Sequence, residues 1–124
     1  MSVIVRDDGF HPDDWSGAPA LDLAPDTCLS TIEDRLHGAQ LVRVDFPSFS
    51  DGRGFTIARR LRSLGFSGRL RARGHVLADQ YTMARRAGFD EVEISADLAT
   101  RQPAEHWQFR ADWQAHDYQS RLRG

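Results

Sequence analysis

Between residues 20 and 95 the apolar positions switch repeatedly between two spacings, one suited to strands and one to helices. Ala20-Leu21-Asp22-Leu23-Ala24, Gln40-Leu41-Val42-Arg43-Val44-Asp45-Phe46, Arg69-Leu70-Arg71-Ala72-Arg73 and Glu91-Val92-Glu93-Ile94-Ser95 follow the period of two that a half-buried strand requires. Between them, Leu29, Ile32 and Leu36 recur at helical spacing, then Phe55, Ile57, Ala58, Leu61 and Leu64, then Val76, Leu77, Tyr81, Ala84 and Ala87. Asp26 or Thr27 offers an N-cap to the first of these helices, and Gly38, Gly65 and Gly88 stop the three in turn. Pro103 opens a last helix with Trp107, Ala111 and Tyr118 on one stripe. Upstream, Val3-Ile4-Val5 reads as a short strand that ends in a turn. Residues 11–20, with Pro12, Trp15, Gly17 and Pro19, lack a period and read as a covering loop anchored by Trp15. The expected organisation is a strand and covering loop over 1–19, one α/β domain over 20–119 and a frayed tail over 120–124.

Strand and helix alternate four times, and parallel strands joined by right-handed helical crossovers are the natural solution. Strands covered on both faces read as continuous apolar runs. These do not: charged residues alternate with apolar ones in all four, as Arg71 and Arg73 do with Leu70 and Ala72. One sheet face is therefore expected to take all the helices, and the other to carry Arg, Asp and Glu. Helices on a single face imply sequential strand order and the curl of half a TIM-type barrel, with the charged face concave. A flavodoxin-like open sheet is the alternative. Four strands do not close a barrel, so two parallel edges and a charged concavity stay open. A homodimer would cover them; so would residues 1–20 or the C-terminal helix.

Composition narrows the function classes. The chain has 124 residues, enough for one self-supporting domain. Its apolar runs are three or four residues long, which excludes a transmembrane helix, and Met1–Phe10 lacks a signal-peptide layout. A cytoplasmic setting follows. Cys28 is the single cysteine, so there is no internal disulfide and no paired-Cys metal site. Net charge is −2, but residues 1–34 hold eight acids against Arg6, whereas 52–88 hold nine arginines against Asp79. All sixteen basic residues are Arg, which removes lysine Schiff-base and amine chemistry. Codon bias explains much of that usage. The functional reading is a binder of planar or tetrahedral anions, which the guanidinium fork suits. Nucleic-acid binding is disfavoured by the slightly acidic total.

Candidate site residues lie where the strands end. In Ser50-Asp51-Gly52-Arg53-Gly54, two glycines allow close backbone approach, the helix start offers free N–H groups, and Arg53 stands ready to clamp an anion. The bland alternative is that Asp51 caps the helix while Arg53 pairs with Asp45 or Asp79. Arg73, His75, Asp79 and Gln80 form the second group. A helix starting near His75 would place His75 and Asp79 one turn apart, as an acid–base pair or as a cap with a salt bridge. Cys28 reads as a small residue at a helix start, or as a thiol made reactive there. Arg59, Arg60 and Arg62 read as a solvated helix face. No cofactor fingerprint and no metal-ligand spacing are present.

Phe46-Pro47-Ser48-Phe49-Ser50-Asp51-Gly52-Arg53-Gly54-Phe55, with Ala58-Arg59, Leu61-Arg62, Gly68-Arg69-Leu70-Arg71-Ala72, Val76-Leu77, Asp79-Gln80 and Gly88-Phe89-Asp90, closely resembles domain-of-unknown-function family 934. The likeness covers roughly residues 20–120. It implies a small bacterial protein encoded beside assimilatory sulfite reductase, and a role in sulfate and sulfite assimilation without an established reaction. Two departures matter: many members carry Asp where this chain has His75, and often Cys where it has Ala87. The expectation is an accessory or interaction protein of assimilatory sulfite reduction that works with the reductase or another sulfate-assimilation enzyme. A small enzyme acting on a sulfur oxyanion or phosphorylated substrate, and an anionic-metabolite sensor, are the alternatives.

Overall fold

A computed structural model describes residues 2–15 and 20–111. Six strands form one sheet: β1 (Ser2–Arg6), β2 (Gly9–Pro12), β3 (Ala20–Leu23), β4 (Leu41–Phe46), β5 (Arg69–Gly74) and β6 (Glu91–Ser95). The described helices are α1 (Glu33–Leu36), α2 (Arg53–Ser63), α3 (Tyr81–Ala87), α4 (Ala96–Arg101) and α5 (Ala104–Phe109). Strand order is β2-β1-β6-β5-β4-β3. β3 to β6 are parallel and sequential, whereas β1 runs antiparallel to both β2 and β6. The sheet is open and mixed, not purely parallel as expected. The difference comes from the N-terminus: β1 and β2 form a hairpin that extends the sheet past β6, so that edge is already paired. β1 reads as a continuous apolar run because both of its faces are covered; Ile4 and Val5 are fully buried.

The apolar face follows from strand parity. Leu21, Leu23, Val42, Val44, Phe46, Leu70, Ala72, Val92 and Ile94 share one core with Phe55, Ile57, Ala58 and Leu61 of α2 and with Tyr81, Ala84 and Ala87 of α3. Trp107 of α5 closes the core, edge-on to Tyr81 at 5.9 Å between ring centroids. The alternate residues, Asp22, Arg43, Asp45, Arg69, Arg71, Arg73, Glu91 and Glu93, lie on the opposite face.

Several helix starts depart from the periodicity. Before α1 the chain makes a 3-10 turn, Leu29–Thr31, because the Thr27 and Thr31 hydroxyls donate back to the carbonyls of Ala24 and Cys28, each at 2.7 Å. Helical structure after β5 starts at Ala78, not near His75: Leu77 is extended, and its N–H is taken by Gln80 Oε1 at 2.9 Å. α4 has no counterpart in the apolar pattern. Its N-cap is Ser95, whose hydroxyl accepts the Leu98 N–H at 3.1 Å. Pro103 does open α5, which ends at Phe109; Ala111 follows as coil, and Tyr118 lies outside the described residues. No helix among the described residues is long and apolar enough to cross a membrane.

Candidate functional site

The carboxyl ends of β4 and β5 are tied together before any ligand is considered. His75 donates its backbone N–H to Phe46 O at 2.9 Å, and its ring Nδ1 lies 3.3 Å from the same oxygen. The Phe49 ring meets the His75 ring edge-on at 5.2 Å. Gln80 Nε2 donates to Phe49 O at 2.8 Å, so one amide side chain holds both the loop after β4 and the turn after β5. Gly54 lets α2 sit on the Phe46 ring: a Cβ there would fall 2.4 Å from Phe46 Cζ. Gly74, at φ +116°, allows β5 to turn within reach of Phe46 O.

Within the loop, the Ser48 and Ser50 hydroxyls are 2.9 Å apart, and the Asp51 N–H donates to Ser48 O at 3.1 Å. Asp51 Oδ1 accepts the Arg53 N–H at 3.1 Å and Nε at 3.0 Å, while Oδ2 accepts Nη2 at 2.7 Å. The N-cap residue itself is Gly52. Arg53 therefore pairs with Asp51, two residues away, and not with Asp45 or Asp79. That pairing holds the Asp51 carboxyl below its ordinary range and raises Arg53 further. The Arg53 side chain remains 59% exposed, pinned but presented.

The other candidates divide. Asp79 pairs with Arg110 at 3.0 Å, and no hydrogen bond or ion pair joins it to His75. Helical structure begins three residues beyond His75, so the expected one-turn spacing is lost. Asp45 and Arg73 are cross-strand neighbours on the charged face. Arg73 lies 3.9 Å from Asp22, whereas Asp45 is exposed and makes no ion pair among the described residues.

Deeper on that face, Arg71 is fully buried and donates to Glu91 Oε2 at 2.6 Å and Glu93 Oε1 at 2.7 Å. Glu91 Oε1 also accepts Arg69 Nε at 2.8 Å and Arg6 Nε at 3.3 Å. Over this array lies the segment after β2. Asp14 takes Arg69 at 2.7 Å and Arg6 at 3.0 Å, Asp13 reaches Arg71 at 3.4 Å, and Trp15 lies under the Arg69 guanidinium at 5.6 Å. The Arg69 hydrogen bond, followed by that from Arg6, pulls the Asp14 carboxyl down to about 2. The segregation of acids in 1–34 from arginines in 52–88 was the signal for this contact.

Arg62 is a second correction. It is not part of a solvated face but donates to the carbonyls of Gly88 (3.0 and 2.8 Å), Phe66 (3.0 Å) and Gly68 (2.8 Å) and pairs with Asp90 at 2.9 Å. Of the three, Arg59 and Arg60 behave as expected, exposed and without ion pairs among the described residues.

Between the turn after β3 and α2 runs a groove of about 460 Å³, lined by Pro25, Thr27, Cys28, Leu29, Ser30, Arg53, Thr56, Ile57 and Arg60. The Cys28 thiol lies 3.0 Å from the Ser30 hydroxyl, a hydrogen bond that lowers its pKa. A second groove, of about 510 Å³, opens at the amino ends of the strands, where His37 is the one titratable lining residue among the described residues. The first groove carries two guanidinium groups in its lining, Arg53 and Arg60.

Residues 20–124 match the family described as bacterial protein of unknown function (DUF934). The chain belongs to that family. Curated proteins give no match. The DUF934 match begins at the first residue of β3 and spans the Asp51–Gly54 turn, the Gln80 clamp and the buried Arg71–Glu91–Glu93 array.

Proposed function

We propose that this DUF934 protein is an accessory, interaction protein of assimilatory sulfate and sulfite reduction that binds a small anion at the carboxyl ends of its parallel strands. The single observation that carries the reading is the loop 47–53. It is held from both sides, by Gln80 on Phe49 O and by Asp51 on Arg53, yet it leaves Phe49 40% exposed and the Arg53 side chain 59% exposed. An aromatic ring packed on His75 and a guanidinium held by Asp51, both on one braced loop, form a prepared contact surface, since little side-chain entropy remains to be lost on binding. The pathway and the reductase as partner rest on the family resemblance.

Two further parts belong to the same proposal. The four sequential parallel strands are read as the curl of half a TIM-type barrel, supported by their order. A homodimer is retained, with β3, the end of the sheet opposite the hairpin, as the strand available to a second copy. The working setting is the cytoplasm.

Thermal shift with sulfite, sulfate and thiosulfate, together with affinity purification from sulfate-grown cells, tests the main reading. Stabilisation by one of these anions that is lost in Arg53→Ala, and recovery of sulfite reductase with the wild-type chain, are the expected results. Turnover of a sulfur oxyanion by the isolated protein would overturn the accessory role. Sedimentation at micromolar concentration decides the dimer.

A further inference from the structure

The groove between the Pro25–Ser30 turn and α2 supports a more specific reading, which rests on the anion-binding proposal above. Arg53, Thr56, Ile57 and Arg60 stand at i, i+3, i+4 and i+7, so a single stripe of α2 forms one wall. The facing wall alternates apolar and polar groups, Leu29 against Cys28 and Ser30. Within this groove Arg53 is already balanced, by its hydrogen bonds to Asp51 and by the nearby Asp26. Arg60 is not: its guanidinium is exposed and makes no ion pair or hydrogen bond among the described residues. Thr56 is likewise exposed, and its hydroxyl makes no hydrogen bond among the described residues. The uncompensated positive charge of the groove is therefore at Arg60, one turn beyond an available hydroxyl.

Size then constrains the ligand. A volume of about 460 Å³ falls in the range of small-molecule sites and far exceeds a bare tetrahedral oxyanion. We infer that the groove binds an organic phosphate or sulfate ester. Arg60 takes the oxyanion through charge-assisted hydrogen bonds, Thr56 and Ser30 add hydroxyl contacts, and Leu29 and Ile57 receive the carbon body. Cys28 lies inside the same groove and is the only cysteine of the chain, so its accessibility reports occupancy directly.

The test uses the full chain with 4-nitrophenyl phosphate and 4-nitrophenyl sulfate, and with inorganic phosphate and sulfate as the same oxyanions without a body. Affinity is read by calorimetry, and occupancy by the rate at which iodoacetamide alkylates Cys28, followed by intact mass. At least one aryl ester is expected to bind about tenfold more tightly than its inorganic anion and to slow alkylation saturably. Which ester binds distinguishes a phosphate site from a sulfate site. Arg60→Ala is expected to weaken that ester about tenfold or more, while Arg59→Ala, an exposed α2 substitution outside the groove, leaves it unchanged. Ester binding that survives Arg60→Ala, or that leaves the Cys28 alkylation rate untouched, overturns the inference. Binding of inorganic anions through Arg53 alone would remove the groove and keep the broader anion reading; binding of no anion removes both.

Discussion

Replacing Arg71 by Met tests whether the charged face of the sheet is a buried structural array. Arg71 is fully enclosed, so the substitution keeps most of the side-chain volume and removes two short charge-assisted bonds, to Glu91 at 2.6 Å and Glu93 at 2.7 Å. The two carboxylates do not suffer equally. Glu91 keeps Arg69 at 2.8 Å and Arg6 at 3.3 Å, whereas Glu93 is left with Arg43 at 3.9 Å. Breaking a buried pair from one side costs about 3–5 kcal/mol, and the surviving partners of Glu91 place this case near about 3 kcal/mol. For a domain of this size that corresponds to a fall in Tm of roughly 12 °C. Urea unfolding followed by tryptophan fluorescence measures it, with Trp15 over the array and Trp107 in the core reporting on the two faces. Adding Glu93→Gln to Arg71→Met is expected to recover about 1 kcal/mol or more, because the second change neutralises the carboxylate that the first left without a close partner. A cost below about 1 kcal/mol for Arg71→Met, or a double variant less stable than the single one, would refute the burial argument.

Glycine packing gives a sign contrast that thermal melts can read. Gly54→Ala forces a Cβ to 2.4 Å from Phe46 Cζ and is expected to cost about 1–3 kcal/mol, whereas Gly38→Ala has nothing within 4 Å and should be neutral or slightly stabilising. Arg62→Ala strands the carbonyls of Phe66, Gly68 and Gly88 that it now serves, and denaturant melts should show a loss of about 2–3 kcal/mol. The Asp14 carboxyl, lowered from 3.8 to about 2 by Arg69, contributes stability that is fully present above 3.8 and lost as pH falls toward about 2. Trp15 fluorescence should change across that window in the wild type, and Asp14→Asn should flatten the change; an identical acid limb in both would show that the segment is held by something else.

What could be read in advance was what strand parity encodes. Leu41 to Phe46, Arg69 to Arg73 and Glu91 to Ser95 alternate cleanly because each stands between a core and a charged layer, and the parallel sequential order follows from helices on one side. β2 was hidden because Gly9-Phe10-His11-Pro12 has no period. It is fixed by pairing with β1, Val5 opposite Phe10 and Val3 opposite Pro12, which is tertiary information. α4 was hidden for a related reason: Leu98 and Ala99 are only half-buried, so no apolar stripe marks it. The false extension of α3 back to His75 arose because Val76 fills the core from outside any helix, which a helical wheel cannot distinguish. At the candidate site, Asp51 and Arg53 were visible as residues but not as each other's partners. Gln80 was named for its motif while its clamp on Phe49 was not legible, since it joins positions 31 apart.

The segment Asp13–Trp15 has a practical bearing on how the protein is handled. The family match starts at residue 20, and an expression clone cut on that border would keep the Arg71–Glu91–Glu93 layer while discarding β1, β2, Arg6, Asp13 and Asp14. Ile4, fully buried opposite Glu93, would go with them and leave the β6 edge bare. Such a fragment invites strand-to-strand association between copies. Sedimentation of a clone trimmed at residue 20 would therefore report on the cut rather than on the native oligomer.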